Sequence, residues 1–189
     1  MFPPVIESGL FELLKLQIIT KSVLGSVAYY TGGITLQNGW LRILGSGHPS
    51  LSRTINSWNN IANIKELLLV ADDIIGGFFA INGGYLPYDL GRIFYLPHDT
   101  LEWESLEMTY SEFLHWAITG DLNLFYEPFR WNDWKSEILS LNGCEGLSFY
   151  PFLWTEEFRI IDNCSRMIIS IEEIWKMKQD LQMKIKNNN

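Results

Sequence analysis

The segment most able to do chemistry is Gly45-Ser46-Gly47-His48, closed by Pro49. Two glycines free the backbone to turn its amides towards an anion, and the segment adds a hydroxyl and a titratable ring. It lacks the G-x-x-x-x-G-K-[ST] frame and the lysine of a phosphate loop. Ser46 does not sit in the G-x-S-x-G frame that exposes a nucleophile. The competing reading is a plain turn, with glycines supplying positive φ and His48 held extended before a proline. Asp72-Asp73 is the second candidate. Paired carboxylates can hold Mg²⁺ or Ca²⁺, or act as general acid and base. Consecutive strand residues point to opposite faces, so convergence on one ion requires a turn at that place. Aspartates bonding their own backbone serve the same turn without any ligand. Third, Glu102 and Glu104 flank Trp103. In an extended chain both carboxylates share one face while the indole packs on the other. That makes either an acidic rim for a basic partner or a solvated edge.

Other chemistries are disfavoured by spacing. His48, His98 and His115 lie far apart and form no H-E-x-x-H or i,i+4 pair, so no metal is expected. Cys144 and Cys164 form no C-x-x-C and have no neighbouring histidine. A disulfide between them and two reduced core thiols both stay open, the thiols being the commoner case. No motif calls for a cofactor. A net charge of −8 opposes non-specific nucleic-acid binding, which needs a basic face to displace counterions; it suits a basic protein partner. No apolar run reaches the ~20 residues of a membrane span. Residues 10–19 are interrupted by Glu12, Lys15 and Gln17, and they lack the basic start and cleavage pattern of a signal peptide. The expected location is the cytoplasm, away from the membrane.

The elements that must position these residues follow from periodicity. With 189 residues, 47% hydrophobic and 14% aromatic, the chain can bury a core of large rings, and one domain over residues 1–189 is expected. Residues 7–18 read as a short N-terminal helix that buries Leu10, Leu13 and Leu14, with Ser8 as its cap. Residues 26–30 read as β, and Thr31-Gly32-Gly33 turns the chain. Asn38-Gly39 then signals a tight hairpin into a strand over 40–44. Short apolar segments at 67–71, 76–81 and 89–96, broken by Asp72-Asp73, Asn82-Gly83-Gly84 and Gly91, predict a meander. The gap between the first two is far below the dozen residues of a parallel crossover. Later segments read as helices over 109–119 and 131–140, an aromatic extended stretch over 147–154, and a last helix capped by Ser170 with Glu173. The tail ending Asn187-Asn188-Asn189 is polar and should fray. The fold class is α+β, an antiparallel meander with helices packed on one side.

Three strings carry a resemblance: Trp40-Leu-Arg-Ile-Leu-Gly-Ser-Gly-His-Pro49, Val70-Ala-Asp-Asp-Ile-Ile-Gly-Gly-Phe-Phe-Ala-Ile-Asn-Gly-Gly84 and Leu147-Ser-Phe-Tyr-Pro-Phe-Leu-Trp154. They resemble the bacterial domain-of-unknown-function family 2625, with agreement at Asp89-Leu-Gly-Arg-Ile-Phe-Tyr95 and Leu101-Glu-Trp-Glu104. The likeness spans about residues 20–181. It implies a small bacterial cytoplasmic protein with no assigned activity. More loosely, the run from Asp72 to a helix near Tyr110 is similar to the SUKH superfamily. That likeness implies an α+β fold used for protein binding, including immunity proteins that neutralise toxins. The resemblance also implies more helix before Thr20 than residues 3–19 offer, so the start of the chain reads as trimmed or divergent.

Two functions follow. The first is a protein-binding domain, immunity-like, with an acidic surface. The second is a small hydrolase using the Gly45-Ser46-Gly47-His48-Pro49 loop with Asp72 and Asp73. An enzyme needs these groups within hydrogen-bond reach in a cleft, whereas a binding domain needs an exposed apolar or acidic patch.

Overall fold

The computed structural model describes residues 1–158 and 160–188. Asn189, the end of the tail expected to fray, lies outside them. Six strands, β1 (Gly33–Leu36), β2 (Leu41–Leu44), β3 (Leu67–Asp73), β4 (Phe78–Asn82), β5 (Ile93–Leu96) and β6 (Glu104–Ser105), form one sheet in sequence order. Each is antiparallel to the next. This is the expected meander: Leu69 pairs with Ala80, and Ala80 with Phe94. A second antiparallel pair joins β7 (Glu145–Tyr150) to β8 (Ser165–Ser170). β3 takes in the acid pair and ends at Asp73. Asp72 stands opposite Arg42 on one side and Phe78 on the other, because the charge is neutralised inside the sheet rather than turned to water.

Helices cover both faces of the large sheet, which corrects the expectation of one side. Residues Phe78, Phe79, Ala80 and Ile81 of β4 are apolar on both faces, so each face needs a cover. On one face Phe79 and Tyr95 pack with Phe113 of α4 (Tyr110–Thr119). Trp40 joins them, in contact with Tyr126 of α5 (Leu122–Tyr126) and Trp134 of α6 (Trp134–Ile138). On the other face Phe78 meets Trp58 of α3 (Ile55–Ala62) and Trp175 of α7 (Ile171–Asn188). Each such side chain removed from water contributes roughly 1.5–3 kcal/mol.

Ser8 does not cap the first helix, which begins at Ile6 after Val5 with no side-chain cap; two later caps follow their sequence signals. Thr109 with Glu112, and Ser170 with Glu173, form reciprocal capping pairs. At α3 the cap is Thr54, and Ser57 at N3 returns the bond to the Thr54 amide. Residues 26–30 are helical, not β, in α2 (Val23–Tyr30). The Ser22 hydroxyl accepts from the Gly25 amide at 3.0 Å and starts that helix, which overrides the β-branched and aromatic propensities.

α1 (Ile6–Leu16) exists as expected but faces the other way. Its buried residues are Gly9 and Glu12, while Leu10 and Leu14 are exposed. Gly9 lets the helix press on α2: a β-carbon there would lie 2.7 Å from the Tyr29 carbonyl oxygen. Glu12 Oε2 accepts from the Asn56 amide at 2.8 Å, in the first turn of α3, where a carboxylate favours the helix dipole. Burial raises the Glu12 pKa against these hydrogen bonds.

Candidate functional site

The Gly45–His48 segment is tied into the fold by its own backbone and hydroxyl. A β-carbon on Gly45 would lie 2.4 Å from the Thr31 carbonyl oxygen. The Ser46 amide and hydroxyl both donate to that oxygen, each at 2.9 Å, so the serine proton is already spent on a buried acceptor. Gly47 takes φ of 91°, a value that favours glycine. His48 is half-buried; its ring lies flat on Phe2, with centroids 4.6 Å apart and 10° between planes. Its Nδ1 accepts from the Ser50 amide at 3.1 Å.

Asp72 and Asp73 are both fully buried and serve different partners. Asp72 receives Arg42 Nε on Oδ1 at 2.7 Å and Arg53 Nη1 on Oδ2 at 2.5 Å. Asp73 Oδ1 accepts from the Gly77 amide at 2.7 Å and the Ile75 amide at 3.1 Å. Its Oδ2 accepts from the hydroxyls of Tyr95 at 3.1 Å and Tyr126 at 3.3 Å. Burial raises the Asp73 pKa, opposed by the Gly77 amide and by Lys178. Among the described residues no hydrogen bond joins His48 to either carboxylate. The loop and the acid pair therefore do not meet as a hydrolytic set. Nor does any group of three or more His, Cys, Asp or Glu among the described residues gather as metal ligands. Cys144 and Cys164 are free thiols.

What the structure does bring together is a cleft of about 490 Å³ beside that loop. The β1–β2 hairpin supplies Thr35, Asn38 and Arg42, the turn after His48 supplies Pro49 and Ser50, and the segment after α6 supplies Asn142. Phe2, Ile74, Ile138 and Leu141 give it apolar walls. Gly143 lets two walls touch: its amide donates to the Ser50 carbonyl at 3.0 Å, and a β-carbon would lie 2.3 Å from that oxygen. Arg42 is the charged residue of the lining, although only 1% of it reaches solvent. Two guanidinium groups share the Asp72 carboxylate, and Arg53 also donates to the Gly143 carbonyl at 2.8 Å. Arg42 further donates to the Glu145 carbonyl. Burial, reinforced by Arg53 and opposed by Asp72, lowers the Arg42 pKa, but a guanidinium stays charged. No acidic residue lines this cleft among the described residues.

Reading the sequence for motifs misses Arg42 and Arg53. A signal exists for the first: Arg42 interrupts the apolar run Leu41, Ile43, Leu44 on a short strand. An arginine at the same register parity as a core leucine needs a carboxylate partner. Glu102 and Glu104 are exposed at the edge of the large sheet, and Trp103 packs towards the core shared by Trp58 and Trp175. His98 is buried beside Tyr95, 3.3 Å from its hydroxyl. Because the Tyr95 proton goes to Asp73, that hydroxyl is left to accept from Nδ1–H. His98 Nε2 is then a buried acceptor with no partner among the described residues. Burial, then Lys178, pushes the His98 pKa well down.

With this geometry in view, comparison with known proteins places the chain. A family model described as "Protein of unknown function DUF2625" matches residues 1–174. The chain belongs to this family. It is 46% identical over 175 residues to the putative uncharacterized protein YbfG of Escherichia coli (strain K12), a match covering 90% of this chain and 78% of that protein. It is 41% identical over 167 residues to an uncharacterized protein of Haemophilus influenzae Rd, covering 85% of this chain and 73% of the relative. No solved structure matches it. Among the described residues no helix is long and apolar enough to cross a membrane.

Proposed function

We propose that this DUF2625 protein is a binding domain, and that the cleft beside the Gly45–His48 loop takes a small organic anion drawn by the charge of Arg42 beneath its floor. One observation carries this reading: in a chain of net charge −8, the lining of a 490 Å³ cleft contains an arginine and no carboxylate. Two arginines on one aspartate leave a positive charge beneath its floor. Arg42 is buried with its donors on Asp72 and on the Asp73 and Glu145 carbonyls, so it attracts a carboxylate or phosphate through its field rather than by a direct hydrogen bond. The apolar walls suit a hydrophobic body on the ligand, and the neutral amides and hydroxyls of Asn38, Asn142 and Ser50 can orient its polar end. Within this reading the Gly45–His48 loop positions the cleft: His48 holds Phe2 in place by stacking and Ser50 through its amide. Asp72 is the counter-ion that fixes Arg42. The hydrolase reading loses support, since Ser46, Asp72 and Asp73 all spend their polar atoms on the fold.

Benzoate and inorganic phosphate are the probes, titrated by calorimetry into the whole chain and into Asn142→Asp. That substitution keeps the oxygen that accepts from the Cys144 amide and adds a negative charge to the wall. Saturable binding of either probe, weakened at least tenfold in the variant at unchanged melting, supports the site. Absence of saturable binding, or equal affinity in both proteins, removes it.

A protein-binding role, immunity-like and with a basic partner, keeps one observation of its own: the exposed carboxylates of Glu102 and Glu104 at the sheet edge. A basic protein captured by the native chain but not by the Glu102→Lys, Glu104→Lys double variant would favour it. Capture indifferent to the charge reversal would count against it.

A further inference from the structure

The outward face of α1 carries apolar residues that the described residues leave half to three-quarters exposed. Ile6 is 66%, Leu10 50%, Phe11 50% and Leu14 77% exposed on an eleven-residue helix whose buried positions are Gly9 and Glu12. Scattered exposed leucines need no explanation, but a contiguous row on one helix marks an interaction surface. We infer that this face binds a second copy of the same chain, α1 lying antiparallel against α1 about a two-fold axis near Leu10 and Phe11. The charges on the helix select that occupant. Glu7 stands in its first turn and Lys15 in its last, both exposed. Antiparallel pairing sets Glu7 of each copy near Lys15 of the other, twice over, and Leu10 and Phe11 against their counterparts. Parallel pairing would oppose like charges at both ends. An isologous contact must be complementary to itself, and this face is: it balances one acid against one base in a chain whose other residues carry the whole net charge of −8. A strongly basic partner would find no excess of acid here. Lys15 already reaches over the row, its Nζ 5.3 Å from the Phe11 ring centroid, where it can meet a carboxylate arriving from above.

The cleft plays no part in this surface, so the two proposals fail separately. Sedimentation of the full chain over a hundredfold concentration range should show a reversible dimer. Leu14→Asp, at a site 77% exposed, should weaken association about a hundredfold or more, since a two-fold contact loses each side chain twice. Its circular dichroism should not change. Glu7→Lys and Lys15→Glu should each weaken the dimer several-fold, and the double exchange should restore it. A monomer at every concentration overturns the inference. So does a dimer that Leu14→Asp leaves intact, and so do charge variants whose defects add instead of cancelling.

Discussion

Arg42 and Asp72 face each other across β2 and β3 in register, and the Arg42 Nε donates to Asp72 Oδ1 at 2.7 Å with both side chains out of water. A buried pair adds little net stability over an apolar one, but removing one partner strands the other. Here the loss would strand two arginines, because Arg53 uses the same carboxylate. Asp72→Asn should therefore cost about 3–5 kcal/mol, read as a lower midpoint in urea. A loss below about 1 kcal/mol would mean that the arginines find water or other acceptors, and that the cleft floor is less fixed than its geometry implies.

Gly77 and Gly83 separate two reasons for glycine. Both flank the central strand β4, where a sharp turn would call for positive φ. Neither has it; Gly76 and Gly84 do, at 87° and 130°. Gly77 is required by contact instead. A β-carbon there would lie 2.2 Å from Asp73 Oδ2 and 2.5 Å from the Tyr95 hydroxyl, in the middle of a satisfied polar network. Gly83 would only graze the Glu66 carbonyl oxygen at 3.0 Å. Gly77→Ala should cost about 2–4 kcal/mol and Gly83→Ala about 1 kcal/mol or less, by thermal or urea melts. Equal losses would show that Asp73 yields easily.

The meander was legible because turn chemistry is local: short gaps, glycines and asparagines settle antiparallel pairing between neighbours in sequence. The orientation of α1 was not legible. Its leucine spacing is that of a buried stripe, and only the backbone of Tyr29 and the first turn of α3 show why Gly9 and Glu12 go inward. β8 and α5 escaped the periodic reading because each is short and packs by long-range contact. The cleft escaped for the same reason, since Arg42, Ser50 and Asn142 come together from three distant segments. Asn82 is a further case. Its buried amide donates to the carbonyls of Leu86 and Tyr88 and its oxygen accepts from Gly84 and Leu86, so one residue read as a strand breaker organises the loop that follows.

Lys178 is fully buried in α7, and its Nζ donates to the Pro97 carbonyl at 2.5 Å. Burial lowers its pKa to about 7, against the attraction of Asp73 and Asp99. The unfolded chain keeps the proton up to about 10.4. Between these values the unfolded state holds a proton that the folded state lacks, so stability rises with pH across the window and falls as pH drops towards 7. The slope is at most about 1.4 kcal/mol per pH unit. Urea melts at pH 7 and pH 9 should show the native chain more stable at pH 9, and Lys178→Met should lose that difference. The raised Asp73 acts at acid pH with the opposite sign, and the raised tyrosines Tyr95, Tyr110 and Tyr126 act only at strongly alkaline pH. A native chain whose stability is flat from pH 7 to pH 9 would show that the lysine stays charged inside.

His48 tests whether the Gly45–His48 loop serves the cleft or only the fold. Its imidazole is half-buried and stacks on Phe2, which lines the cleft, while its Nδ1 accepts from the amide of Ser50, another lining residue. The backbone of the loop is held independently, by His48 pairing with Leu51 in both directions at 3.0 and 2.8 Å and by Ser46 bonding Thr31. His48→Gln should therefore spare the backbone and remove the ring contact. A ring pair of this kind is worth about 0.5–1.5 kcal/mol beyond its buried area, so melting should fall only slightly. The Phe2 ring would lose its stacking partner, though its backbone stays bonded to Gly32 and Gly33, and benzoate affinity should drop about three- to tenfold, an amount set by the same ring contact. If the variant melts as low as Gly77→Ala, the ring is a packing residue of the core. If it melts normally and binds benzoate as the native chain does, the stack on Phe2 does not shape the cleft, and the loop contributes only its turn.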